Sequence, residues 1–136
     1  MIRPIIKDQM FLAAKSSDMT EQDLSVAADL ADTLAANRLI CAGMAANMIG
    51  VLKNCIAFFD RGKLTVMLNP KILRKADPYE TEEGCLSLSG MRRTRRFQKI
   101  TVEYLDTSFQ KHTKEYRGVS AQVIQHEIDH CRGIII

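Results

Sequence analysis

No apolar run in this chain of 136 residues approaches the roughly 20 residues that a membrane-crossing helix needs. The first residues, Met-Ile-Arg-Pro-Ile-Ile-Lys-Asp, turn polar at once and lack the apolar core and small-residue cleavage site of a secretory leader. Both absences point to a cytoplasmic location without membrane attachment. No Cys-x-x-Cys pair occurs among Cys41, Cys55, Cys85 and Cys131, which argues against a zinc ribbon or a redox dithiol. In a reducing compartment the four are expected to be thiols. There is no internal repeat and no low-complexity segment. A net charge of +3 is too small, and its excess too concentrated in Arg92, Arg93, Arg95 and Arg96, to suggest specific DNA binding.

The balance that is present, 46% hydrophobic and 26% charged residues, is that of a globular chain. At this length it is expected to form a single domain, residues 1–136, with a real core. Thr20 with Asp23 resembles a capping signal, and Leu24, Ala27, Ala28, Ala31, Leu34 and Ala35 recur at helical spacing. A helix is therefore predicted from about Thr20 to Asn37. Cys55–Phe59 and Leu64–Leu68, around the turn Asp60-Arg61-Gly62-Lys63, predict a hairpin, which Asn69-Pro70 is expected to end. Ala76–Glu82 is polar, and Ile100–Tyr104 and His112–Tyr116 alternate as strands. A last helix is predicted over Ser120–Arg132, with Ser120 as N-cap and Gly133 as stop.

That last helix carries the chemistry. In Gln125-His126-Glu127-Ile128-Asp129-His130, two of the three histidines stand one turn apart on one face and can grip one metal ion, with Glu127 placed to reach a water. A catalytic site of this type wants three protein ligands and an open position. The six residues after His130 include no His, Asp or Glu, and Cys131 is rotated about 100° off the shared face. A small metalloprotease, whose third ligand lies downstream, therefore fits poorly. The third ligand must come from upstream, where the other cysteines, His112 and several carboxylates are candidates. Cys85 stands out because Gly84 frees the backbone beside it and Glu83 and Ser87 flank it.

Three stretches together resemble peptide deformylase, which removes the formyl group from N-formylmethionyl chains. The family patterns Glu-Gly-Cys-Leu-Ser and Gln-His-Glu-x-Asp-His are matched in full by Glu83–Ser87 and Gln125–His130. The pattern Gly-x-Gly-Leu-Ala-Ala-x-Gln is matched in part by Cys41-Ala42-Gly43-Met44-Ala45-Ala46-Asn47-Met48. The resemblance implies an α+β fold, with mixed or antiparallel strands around the C-terminal metal-binding helix. It implies Cys85, His126 and His130 as ligands of one divalent metal, Fe²⁺ in the cell with Zn²⁺, Ni²⁺ or Co²⁺ able to replace it. Glu127 would be the general base, and the Leu86 N–H would support the oxyanion.

Gly43 would bond the substrate backbone, as would Arg92, and Val123 would line the methionine pocket. Gln125 and Asp129 read as supporting groups rather than ligands. Met48 stands where the family's glutamine donates to the formyl oxygen, and methionine has no N–H to give. The loss of one such donor typically costs on the order of 10²–10³ in rate. An alternative expectation is thus a weakly active or inactive deformylase-like protein that binds metal or peptide. The implied partners are N-formylmethionyl peptides and the ribosome near its exit tunnel.

Overall fold

The structure, a computed structural model describing residues 1–136, is one five-stranded antiparallel sheet with two substantial helices. After a single turn of helix at Gln9–Leu12 (α1), a 3₁₀ turn at Glu21–Asp23 leads into α2, Leu24–Ala36. The start of α2 follows from the expected residues. Asp23 accepts from the Thr20 backbone N–H and hydroxyl, which satisfies donors that the first turn leaves free. Ala27, Leu30 and Leu34 then recur on one buried face.

The strands are β1 (Gly43–Ala45), β2 (Cys55–Asp60), β3 (Lys63–Cys85), β4 (Leu88–Leu105) and β5 (Lys111–Arg117), hydrogen-bonded in that order. The predicted hairpin is β2 and the start of β3, paired from Asp60↔Lys63 to Cys55↔Leu68. Asn69-Pro70 does not end that strand. The register shifts between Leu68 and Lys71 and again between Ile72 and Arg74, so the missing proline N–H falls at a bulge. Asn69 sits at φ +52 and its side-chain amide brackets Met19, accepting from its N–H at 2.7 Å and donating to its carbonyl at 3.2 Å. Beyond the bulges β3 and β4 form a long ribbon that takes in both Ala76–Glu82 and the arginine cluster.

The last helix, α3, spans Gly118–Cys131, two residues earlier at its start than expected. Ser120 is not its N-cap, because its hydroxyl donates instead to Asp60 at 2.7 Å. Gly133 does end it, at φ +77, and a Cβ there would lie 2.4 Å from the Ala13 carbonyl oxygen. One apolar cluster, including Phe58, Ile100, Tyr116, Ile124 and Ile128, packs α3 against the sheet. A second, including Leu30, Leu34, Met44, Met48 and Leu68, packs α2 on the other side.

Candidate metal centre

The site forms where the C-terminal end of β3 meets the middle of α3. The i, i+4 spacing of His126 and His130 puts both rings on one face, their Nε2 atoms 2.9 Å apart. Cys85 is the last residue of β3, and its Sγ joins them, all three ligand atoms lying within 4.8 Å of one another. His112, the remaining histidine, is elsewhere, bonded to Asp106 at 2.8 Å and stacked on Tyr104. A thiol and two imidazoles are a donor set suited to a borderline-soft divalent cation, so the residues present fit a metal.

A polar network fixes these groups from behind. His126 Nδ1 is 2.7 Å from a Glu83 oxygen, which leaves Nε2 to face Cys85 and His130. Glu83 in turn receives Arg96 through two nitrogens, at 3.0 and 2.7 Å, and Gln122 at 2.9 Å. The remaining Arg96 nitrogen bonds Asp129 at 2.7 Å, and Arg96 is only 4% exposed. Burial would push the Glu83 carboxyl up, but the bonds from His126, Arg96 and Gln122 outweigh it and hold it down at about 2. Gln125 faces the other way and clips α3 to β4: its amide oxygen accepts from the Phe97 N–H at 2.9 Å and its nitrogen donates to the Phe97 carbonyl at 2.8 Å.

The two histidines are driven apart in acidity. Burial opposes charge on His126, yet hydrogen bonds that it donates to Cys85 and Glu83 raise it to about 10. Burial and the neighbouring His126 charge lower His130 to about 3. The pair thus favours charge on His126 and a neutral ring on His130. Glu127 is 4% exposed, its Oε1 has no hydrogen-bond partner, and burial pushes it up to about 7. A carboxyl poised there can both take and return a proton near neutrality.

A cavity of about 280 Å³ opens beside these groups, lined by Cys41, Gly43, Cys85, Leu86, Val123 and Glu127 among others. Of the residues that the sequence singles out for substrate, Gly43 and Val123 line it. Arg92 does not, and its closest polar bond is to the Ser89 carbonyl at 3.4 Å. Met48 does not line it either: it is 1% exposed in the 3₁₀ turn Ala46–Ile49 and packs in the apolar cluster against α2. Met48→Gln would thus place an amide in apolar surroundings. It is expected to lower the unfolding free energy by about 1–3 kcal/mol in urea titrations without raising formate release. An increase in turnover would show instead that the position serves the cleft.

Arg96 is the candidate supporting residue that the sequence conceals among four arginines. Its signal is placement: the β3–β4 register sets Arg92 opposite Glu83 and Arg96 opposite Tyr79, yet it is the Arg96 side chain that reaches Glu83. Gly43 has a stricter requirement than its neighbours. A Cβ there would lie 2.6 Å from Val123 Cγ1 and 3.2 Å from a Glu127 oxygen. Gly43→Ala is expected to cut turnover by about 10²-fold by pushing on Val123 and so shifting α3, which also carries Glu127, and Val123→Ala in the same chain should recover much of that loss. A double variant no better than the single one would exclude steric displacement.

The polypeptide deformylase family model matches residues 2–136. A peptide deformylase of Clostridium beijerinckii is 52% identical over 136 residues, covering all of both chains. Among solved structures, a peptide deformylase from Legionella pneumophila superposes with a TM-score of 0.89 at 31% identity, covering 99% of this chain and 83% of that one. One from Thermus thermophilus gives 0.87 at 30% identity, covering 99% and 84%.

Proposed function

The chain belongs to the polypeptide deformylase family, and from that premise we propose how its own residues carry out the reaction. The protein is a metal-dependent hydrolase that removes the N-formyl group from N-formylmethionyl peptides. In this proposal Cys85, His126 and His130 hold the divalent metal, which in the cell is Fe²⁺, with Zn²⁺, Ni²⁺ or Co²⁺ able to take its place. Lewis acidity toward an oxygen of water or substrate is the chemistry that the ion supplies when bound.

The observation that carries the assignment is the buried Glu127 carboxyl, with one oxygen unpartnered, beside a converging thiol and two imidazoles. Glu127 takes the proton of the attacking water and passes it to the departing amine, so the formyl group leaves as formate and the peptide gains a free N-terminus. The backbone N–H of Leu86 donates to the oxygen on which negative charge grows, a role independent of any side chain. Glu83 keeps the His126 ring oriented, and Arg96 keeps Glu83 ionised. Gly43, lacking a Cβ, lets the peptide backbone approach β1, while Val123 contributes to the apolar wall for methionine. The lining of the cavity supports these two assignments, whereas Arg92 is carried by the motif resemblance.

The substrates are nascent peptides, and the ribosome near its exit tunnel is proposed as the place where they are met. No helix is long and apolar enough to cross a membrane, in keeping with a proposed cytoplasmic location. The test is formate release from a formyl-Met tripeptide by Fe²⁺ or Ni²⁺ protein prepared without oxygen, alongside Cys85→Ser. The variant is expected to keep its circular dichroism spectrum and lose bound metal. Full metal retention would reject Cys85 as a ligand.

A further inference from the structure

A second groove, of about 450 Å³, lies behind α3, lined by Ile128, Cys131 and Arg132 of the helix end, by Lys15 and Ser16 of the arm, and by the bulged part of β3. Five cations line it: Lys15, Lys71, Arg74, Lys75 and Arg132. Against them stands one carboxylate, Asp18, and the surplus is larger than the net charge of +3 of the whole chain. All five are exposed, and none takes part in the ion pairs that engage Arg3, Lys53, Arg61, Arg95, Arg96, Lys99, Lys111 and Arg117. Asp18 is itself occupied, accepting from Asn54 Nδ2 at 2.8 Å.

Lys75 lies over the Phe97 ring, 4.8 Å from its centroid, but none of the five has a counter-charge; like charges so placed repel, and a protein that keeps them together gains when an anion enters between them. A second observation points to the same ligand. Ser16 is 7% exposed, its hydroxyl has no hydrogen-bond partner, and it lines this groove while its N–H is tied to the Cys131 carbonyl at 2.9 Å. The Ser16 hydroxyl adds one donor to the ammonium and guanidinium groups of the same lining, and together they supply the several donors that a phosphate, with more acceptor oxygens than a carboxylate, can use. The groove lining contains no aromatic side chain on which a base could stack.

We propose that this groove is a binding site for phosphate groups, separate from the catalytic cleft and read through charge rather than base identity. Two sources present that chemistry, the backbone of RNA and small free phosphates. Two titrations of the metal-loaded protein distinguish them. One follows anisotropy of a fluorescent RNA duplex of arbitrary sequence at several potassium chloride concentrations, and the other follows amide shifts on adding inorganic phosphate. Polyglutamate at equal charge serves as the competitor.

For RNA, affinity should fall steeply with salt. Lys71→Glu with Arg74→Glu should weaken binding by about tenfold or more and flatten the log–log salt slope by about 2. Formate release from the tripeptide should stay unchanged, which also shows that the variant folds. Ser16→Ala should weaken either phosphate ligand a few-fold while leaving polyglutamate unaffected. Binding of inorganic phosphate alone would assign the groove to small phosphates. Equal displacement by polyglutamate, equal affinity in the charge-reversed variant, or binding of neither probe would overturn the proposal.

Discussion

Glu127→Gln is expected to reduce kcat/KM for a formyl-Met tripeptide by about 10²–10⁴-fold while bound metal stays at the wild-type level. The substitution keeps shape and removes only the ability to take and return a proton. Because Glu127 lies within a site that three other residues hold together, its loss should leave the fold and the Cys85, His126 and His130 contacts in place. Glutamine also ends the cost of a buried ionisable group, so the variant should unfold at an equal or higher urea concentration. Metal analysis and urea titration on the same preparation separate these effects. Retention of more than a tenth of the wild-type rate would remove Glu127 from the proton path.

Arg96→Leu should act on stability first. Arg96 is bonded to both oxygens of Glu83 and to Asp129, and its removal leaves two acceptors short of their main cation, one of them buried. Breaking a buried pair from one side typically costs about 3–5 kcal/mol. The urea midpoint of the metal-free protein should fall accordingly. Metal affinity should weaken by about 10–100-fold as the His126 ring loses its fixed partner. Pairing Arg96→Leu with Glu83→Gln removes the stranded charge and should restore part of the stability but not the metal affinity. If the single variant unfolds like wild type, the network is not what holds the end of β3 against α3.

These two residues differ in how plainly the sequence announces them. Glu127 lies inside a compact motif on a helix whose period shows at once, so its proposed role can be read from spacing. Arg96 gains its meaning only from side-chain contacts that join β4 to Glu83 on β3 and to Asp129 on α3, long-range contacts that local pattern does not encode. The same division runs through the fold. The α2 start is written in Thr20 and Asp23, and the β2–β3 turn in Asp60–Lys63. The ribbon beyond Leu68 is hidden because it is exposed over much of its length, so little apolar alternation marks it. Asn69-Pro70 looks like an end where a bulge absorbs it. Ser120 shows the limit of capping rules, since Asp60, 60 residues away, competes for its hydroxyl. Met48 shows the limit of motif comparison, since a position in a pattern does not say which way its side chain turns.

The clip formed by Gln125 bears on the edge of β4 that β5 leaves open. β5 pairs with β4 only from Lys99 to Leu105, so on that side the strand runs on uncovered toward Leu88. An uncovered edge with free N–H and C=O groups is a template for the strand of another molecule. At Phe97, two residues past the point where β5 ends, the Gln125 amide takes both groups, as a neighbouring strand would. A helix side chain thereby satisfies the first unpaired position of that edge, and the residue next to His126 ties α3 to β4 where β5 stops.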